Sequence, residues 1–86
     1  MKTIKKIKVK GMTSSRGNDV PNQFIINTPD GEYFQSYETI IAFEDRQGNI
    51  TLDKNKWDYS KTTGIYRNQF TGMNIAETRE AIKSVK

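Results

Sequence analysis

The sequence predicts an α+β fold: an antiparallel meander of four to five short strands, then two short C-terminal helices packed on one face of it. Three observations carry this expectation. Before residue 53, short apolar runs rich in Ile and Phe are separated by turn signals at Pro29-Asp30-Gly31 and Asp45-Arg46-Gln47-Gly48-Asn49. After residue 57, apolar residues recur at helical spacing between the capping residues Ser60, Gly72 and Asn74. Between the two regimes lies WDYSKTTGIYRNQFTG, from Trp57 to Gly72. It holds the only Trp, two of the four Tyr and one of the four Phe. This stretch reads as the joint on which sheet and helices meet. With 86 residues the chain is expected to form one small domain over 1–86 with a thin core.

The elements follow in order. In Thr3–Lys10, Ile7 and Val9 alternate with Lys6, Lys8 and Lys10, which predicts a half-buried strand. Gly11–Asn22 is polar with two Gly and one Pro, and reads as a mobile loop over residues 11–22. Gln23–Thr28 is a strand built on Phe24, Ile25 and Ile26; Pro presets φ and Gly takes the left-handed position of the hairpin that follows. The return strand spans Glu32–Ser36, a bend at Ser36-Tyr37-Glu38 leads into Thr39–Glu44, and Ile50–Leu52 closes the second hairpin. Asp58 or Ser60 can cap a helix over Lys61–Phe70, which Gly72 stops. Asn74 caps a second helix, with Glu77 completing a capping box and Ile75, Ile82 and Val85 along one stripe. The predicted core comprises Ile26, Phe34, Ile41, Phe43, Leu52, Trp57, Phe70 and Ile82.

Composition narrows the function. The chain has no Cys and no His. That removes disulfides, thiolate chemistry, and the commonest general base and metal ligand. No apolar run approaches the ~18 residues of a membrane span, and the lysine-rich start lacks an uninterrupted apolar region of a signal peptide, so a cytoplasmic protein without membrane contact is expected. The net charge of +4 is uneven: residues 1–18 carry +6 and the remainder −2. Lys2, Lys5, Lys6, Lys8 and Lys10 are therefore candidates for polyanion contact. The plainer reading is an edge strand guarded by lysine against strand addition.

No catalytic, cofactor-binding or metal-ligating set emerges. Asp58-Tyr59-Ser60-Lys61 gathers four reactive types, and a Lys can activate a Ser, but an N-cap and first helical turn explain these residues more simply. Asp45 to Asn49 lacks the alternating acids of a calcium loop, and no phosphate-binding glycine motif is present. Nucleic-acid binding asks for bases among planar rings, and residues 54–70 offer Lys54, Lys56, Lys61 and Arg67 among Trp57, Tyr59 and Tyr66. Trp57 and Phe70 are expected in the core. Their neighbours Tyr59, Lys61 and Arg67, with Tyr66 at the margin, are expected to form an exposed aromatic–basic patch that binds a partner.

Trp57-Asp58-Tyr59-Ser60, followed by Thr62-Thr63, Tyr66-Arg67, Phe70 and Glu77-Thr78, resembles a family of small uncharacterised proteins encoded mainly by bacteriophages and prophages. Phe34-Gln35-Ser36-Tyr37-Glu38-Thr39 with Ile41-Ala42 resembles that family's upstream block. The resemblance covers about Tyr33–Lys83; the chain departs from it at Ile65, at Thr71 and at its C-terminus. It implies a phage origin and an accessory role, with no activity to transfer. The expected function is thus a non-enzymatic accessory protein, acting without a cofactor, that binds a host or phage protein, by analogy as an inhibitor of a host system such as a defence complex. The alternatives are a nucleic-acid-binding accessory protein that uses the basic N-terminal strand and residues 54–70, and an oligomeric structural component.

Overall fold

A computed structural model describes residues 7–83. Five antiparallel strands form one sheet in sequential order: β1 (Lys8–Thr13), β2 (Asp19–Thr28), β3 (Gly31–Ser36), β4 (Thr39–Asp45) and β5 (Ile50–Leu52). Two helices follow, α1 (Lys61–Thr71) and α2 (Ile75–Ile82). The expected α+β meander with two C-terminal helices is the observed architecture. The strand predicted at its N-terminal end starts at Lys8 among the described residues; Lys2, Lys5 and Lys6 lie outside them, as does Val85. The stretch read as a loop over 11–22 is mostly strand. β1 runs on through Gly11, Met12 and Thr13, β2 begins at Asp19, and only the turn Ser14–Asn18 remains, closed by Ser14 N–H to Asn18 O at 2.8 Å.

Pairing across the sheet sorts its residues into rows, and alternate rows face opposite sides. Lys10, Ile25, Phe34, Ala42 and Leu52 form one row. Its last three members, with Met12 and Ile41, are the buried core. Trp57, Tyr66, Phe70, Ala81 and Ile82 pack against that core from the helical layer. The Phe34 and Phe70 rings stack at 5.8 Å, and Ser36 Oγ shares a 2.7 Å hydrogen bond with Thr63 Oγ1. Gln69 Nε2 donates to Thr13 O at 3.0 Å, tying α1 to the far edge.

The neighbouring row is Val9, Ile26, Tyr33, Phe43 and Thr51, on the face away from the helices. Two residues expected in the core, Ile26 and Phe43, therefore sit on the other side of the sheet from Phe34 and Leu52. Ile7 and Val9, expected to point inward, are each 60% exposed. The physical reason is that Phe24-Ile25-Ile26 and Ile40-Ile41-Ala42-Phe43 are apolar on both faces. The alternation alone leaves open which face the helices cover, and a shift of one residue exchanges the two sets. Gln23, in the row of Ser36 beneath the helices, is fully buried with neither side-chain polar atom bonded within the protein. Such burial costs roughly 1–3 kcal/mol.

The turns and caps follow the local chemistry. Ser60 is the N-cap of α1, its Oγ accepting from Thr63 N–H at 3.1 Å, and Gly72 closes that helix at φ 77°. Asn74 and Glu77 complete the capping box of α2, although Ile75 is exposed rather than packed. At the β4–β5 turn, Asp45 Oδ1 accepts from Gln47 and Asn49 N–H at 2.9 Å each. The backbone and side-chain hydrogen bonds from Asn49 hold the Asp45 carboxyl below its ordinary pKa.

Two expected outcomes follow from these turns. Because the folded-state pKa of Asp45 is lowered, its contribution to stability is present at neutral pH and is lost as the pH falls through the carboxylate range. Asp45→Asn should flatten the acid limb of a stability-versus-pH profile. Gly31 has φ 152°, and a Cβ there would fall on the Glu44 carbonyl oxygen, whereas a Cβ on Gly48, at φ 89°, meets open space. Urea unfolding should show Gly31→Ala losing more than about 2 kcal/mol and Gly48→Ala only about 1 kcal/mol.

Candidate functional site

The segment that enters α1 is ordered by its own backbone. Asp53 Oδ1 accepts from Asn55 and Lys56 N–H at 2.8 and 2.7 Å, and Trp57 N–H donates to Asp53 O at 3.0 Å. This turn lays the half-buried Trp57 ring against the core. It also leaves the Trp57 carbonyl facing α1, where Arg67 meets it.

Arg67 is not on the surface. The residue expected to anchor an exposed patch is 1% exposed. Its Nη1 donates to Trp57 O at 2.7 Å and to Asp58 Oδ1 at 3.3 Å; Nε and Nη2 donate to Asn68 Oδ1 at 3.2 and 2.9 Å. The guanidinium carbon lies 5.4 Å from the Trp57 ring centre. A planar five-donor group can serve a carbonyl, a carboxylate and an amide oxygen together, so the segment before α1 is fastened to the helix through this one side chain. Tyr66 is half-buried against the core. The expected patch is thereby divided: Tyr59 and Lys61 are exposed, while Arg67 and most of Tyr66 are structural.

Other residues join Tyr59. It lines a cleft of about 350 Å³ with Asn22, Tyr37, Glu38 and Thr39. Tyr59 and Tyr37 are 52% and 43% exposed. Lys56 Nζ stands 5.1 Å from the Tyr59 ring centre. Among the described residues, the two non-glycine positions with positive φ are Asn22 at 67° and Tyr37 at 57°, and both line this cleft. Asn tolerates the left-handed region; for a bulky aromatic residue it is a costly conformation. The backbone around Tyr37 is nonetheless held firmly, with Tyr37 N–H donating to Asn22 O at 2.7 Å and Gln35 Nε2 to Tyr37 O at 2.7 Å. Tyr37 was legible from sequence only as part of a bend, because a two-residue turn without glycine gives no sign of which residue takes the strain.

The cleft offers two phenol rings, a carboxylate, an amide and a hydroxyl, with an ammonium at its margin. These are recognition groups for a polar and aromatic surface. Among the described residues, no three His, Cys, Asp or Glu side chains converge as a metal would require, and no helix is long and apolar enough to cross a membrane. Lys8 and Lys10 are exposed on the edge strand β1. Lys8 and Lys10 pair with Asn27 and Ile25, five and three residues along β2 from Asn22, or about 16 and 10 Å at strand rise. The basic edge and the tyrosine cleft are thus separate surfaces.

The chain matches the model of a family of unknown function, DUF8033, over residues 7–85, and belongs to that family. No curated protein and no solved structure matches it.

The buried guanidinium makes a discriminating prediction. Asp58, its acidic partner, is 53% exposed, so solvent screens the ion pair. Asp58→Asn should cost under about 1 kcal/mol. Arg67→Ala, which strands the Trp57 carbonyl and opens a void, should cost about 3 kcal/mol or more. Arg67→Lys should recover only part, since an ammonium cannot hold three acceptors in one plane. Chemical denaturation of the three variants measures the order.

Proposed function

We propose that this member of the DUF8033 family is a non-enzymatic accessory protein, phage-encoded, that binds a host or phage protein through the cleft between Tyr37 and Tyr59 and the adjoining Lys56 and Lys61. The phage origin rests on the sequence resemblance around Trp57-Asp58-Tyr59-Ser60. The binding surface rests on one observation: an exposed Tyr held at φ 57° beside a second exposed Tyr in the same cleft. Strain of this kind costs of order 1–3 kcal/mol and persists where the surroundings over-determine it, most often at recognition or catalytic positions. Tyr rings are also among the side chains that most often dominate binding energy at protein interfaces. An inhibitory action on a host system is the form of this reading that suits a small cytoplasmic accessory protein.

Nucleic acid is the rival partner, favoured by the lysine lying over Tyr59 and by Lys8 and Lys10. A polyanion held by lysines binds with a steep salt dependence; a protein held by the tyrosine cleft does not need one.

Capture from host lysate with the wild-type chain and with Tyr59→Ala tests the proposal. The expected result is one protein partner whose affinity falls at least ~10-fold in the variant. A partner bound equally well by both, or salt-sensitive binding to DNA or RNA that is lost on Lys8→Gln with Lys10→Gln, counts against it. Tyr37→Asn supplies the second measurement. It should raise stability by about 1 kcal/mol by relieving the left-handed backbone, while weakening partner binding. A variant both more stable and fully competent would mean the strained tyrosine has no part in recognition.

A further inference from the structure

We propose that the sheet face turned away from the helices is an interface with a second copy of this chain, forming a two-fold symmetric dimer in which two sheets pack face to face between outer helical layers. The inference stands apart from the tyrosine cleft and uses none of its residues.

The face is apolar where a free surface would be charged. Inside the turn-end row Thr28–Gly31–Asp45, two rows cross it: Val9–Ile26–Tyr33–Phe43–Thr51 and Gly11–Phe24–Gln35–Ile40. Neither contains a charged residue. Exposed large side chains persist on it, with Val9 60% and Ile40 40% exposed, while Tyr33 and Phe43 form a ring pair at 4.5 Å. The opposite face carries its charges in the row Lys8, Asn27, Glu32 and Glu44, next to the helix-covered core. Depletion of charge with enrichment of aromatic rings is the compositional mark of an interface centre.

The order of residues along each row identifies the occupant as a second copy. A two-fold axis parallel to the strands, between β2 and β3, lays β1 of one copy over β4 of the other and β2 over β3. In the first row, Val9 then meets Phe43 and Ile26 meets Tyr33, aliphatic against aromatic at each position. In the second row, Phe24 meets Gln35 and Gly11 meets Ile40. Gly11 has open space where a Cβ would project, and Ile40 is the protruding side chain that fills it. Large opposite small, reciprocated by symmetry, is the self-complementarity an isologous interface requires. The strands of the two sheets stay nearly aligned, as face-to-face sheets prefer.

Sedimentation of the full chain over a wide concentration range tests the proposal. The expected result is a monomer–dimer equilibrium. Val9→Lys and Ile40→Lys each place a charge in the centre and should weaken dimerisation at least ~10-fold; both positions are exposed enough in one copy to leave folding intact, which circular dichroism checks. Ile65→Lys, on the exposed side of α1, should leave the dimer unchanged. A chain that stays monomeric at all concentrations overturns the proposal. So does a dimer that both sheet variants leave intact. Partner capture through the tyrosine cleft is unaffected by either result, so this proposal and the preceding one fail separately.

Discussion

One buried guanidinium fastens the segment leaving the sheet to helix α1. Arg67 collects the Trp57 carbonyl, the Asp58 carboxylate and the Asn68 amide oxygen, and it lies across the Trp57 ring. The carboxylate is the least of these partners, because more than half of Asp58 is in water and an exposed ion pair is worth 0–1 kcal/mol. The carbonyl matters more, since it has no other donor once the ring is packed. The ring in turn lies against the core beneath α1. Besides this side chain, Asp53, the Tyr59 N–H bond to Lys56 O and the Ser60 cap set the path from β5 to α1. The Ser36–Thr63 hydrogen bond and the Phe34–Phe70 stack then tie α1 itself to the sheet.

The elements that could be read from the sequence are those whose causes are local. The hairpin at Pro29-Asp30-Gly31, the Ser60 and Gly72 ends of α1 and the Asn74–Glu77 box each place donor, acceptor or glycine within a few residues of its effect. The errors share a different origin. Met12 lay in a stretch that looked like a polar loop, and its burial depends on β2 and the helical layer. Ile26 and Phe43 were apolar at strand spacing, as a core residue should be, but the covered face is chosen by where the helices return. Arg67 carries the charge of a surface residue, and nothing nearby in sequence shows a carbonyl and an indole waiting for it. The cleft was legible only at Tyr59; Tyr37 and Asn22 reach it through the folded sheet.

The sheet's two faces are unequally used. One carries the core, with an unpaired buried amide at Gln23 offsetting part of its gain. The other holds apolar side chains of similar size with no second layer among the described residues. A single α1 and a short α2 cannot cover both sides of a five-stranded sheet, and the core of so short a chain is correspondingly small. The strained turn at Tyr37 draws on the same narrow margin. It lies at the end of the sheet where β3 turns into β4, held in place by the Asn22 carbonyl and the Gln35 side chain.

The choice of arginine for the joint has a consequence for how the protein responds to its surroundings. A guanidinium remains protonated at any pH a cell reaches. The chain has no His to titrate near neutrality and no Cys to oxidise. The fastening between the Trp57–Asp58 segment and α1 therefore contains neither an imidazole nor a thiol.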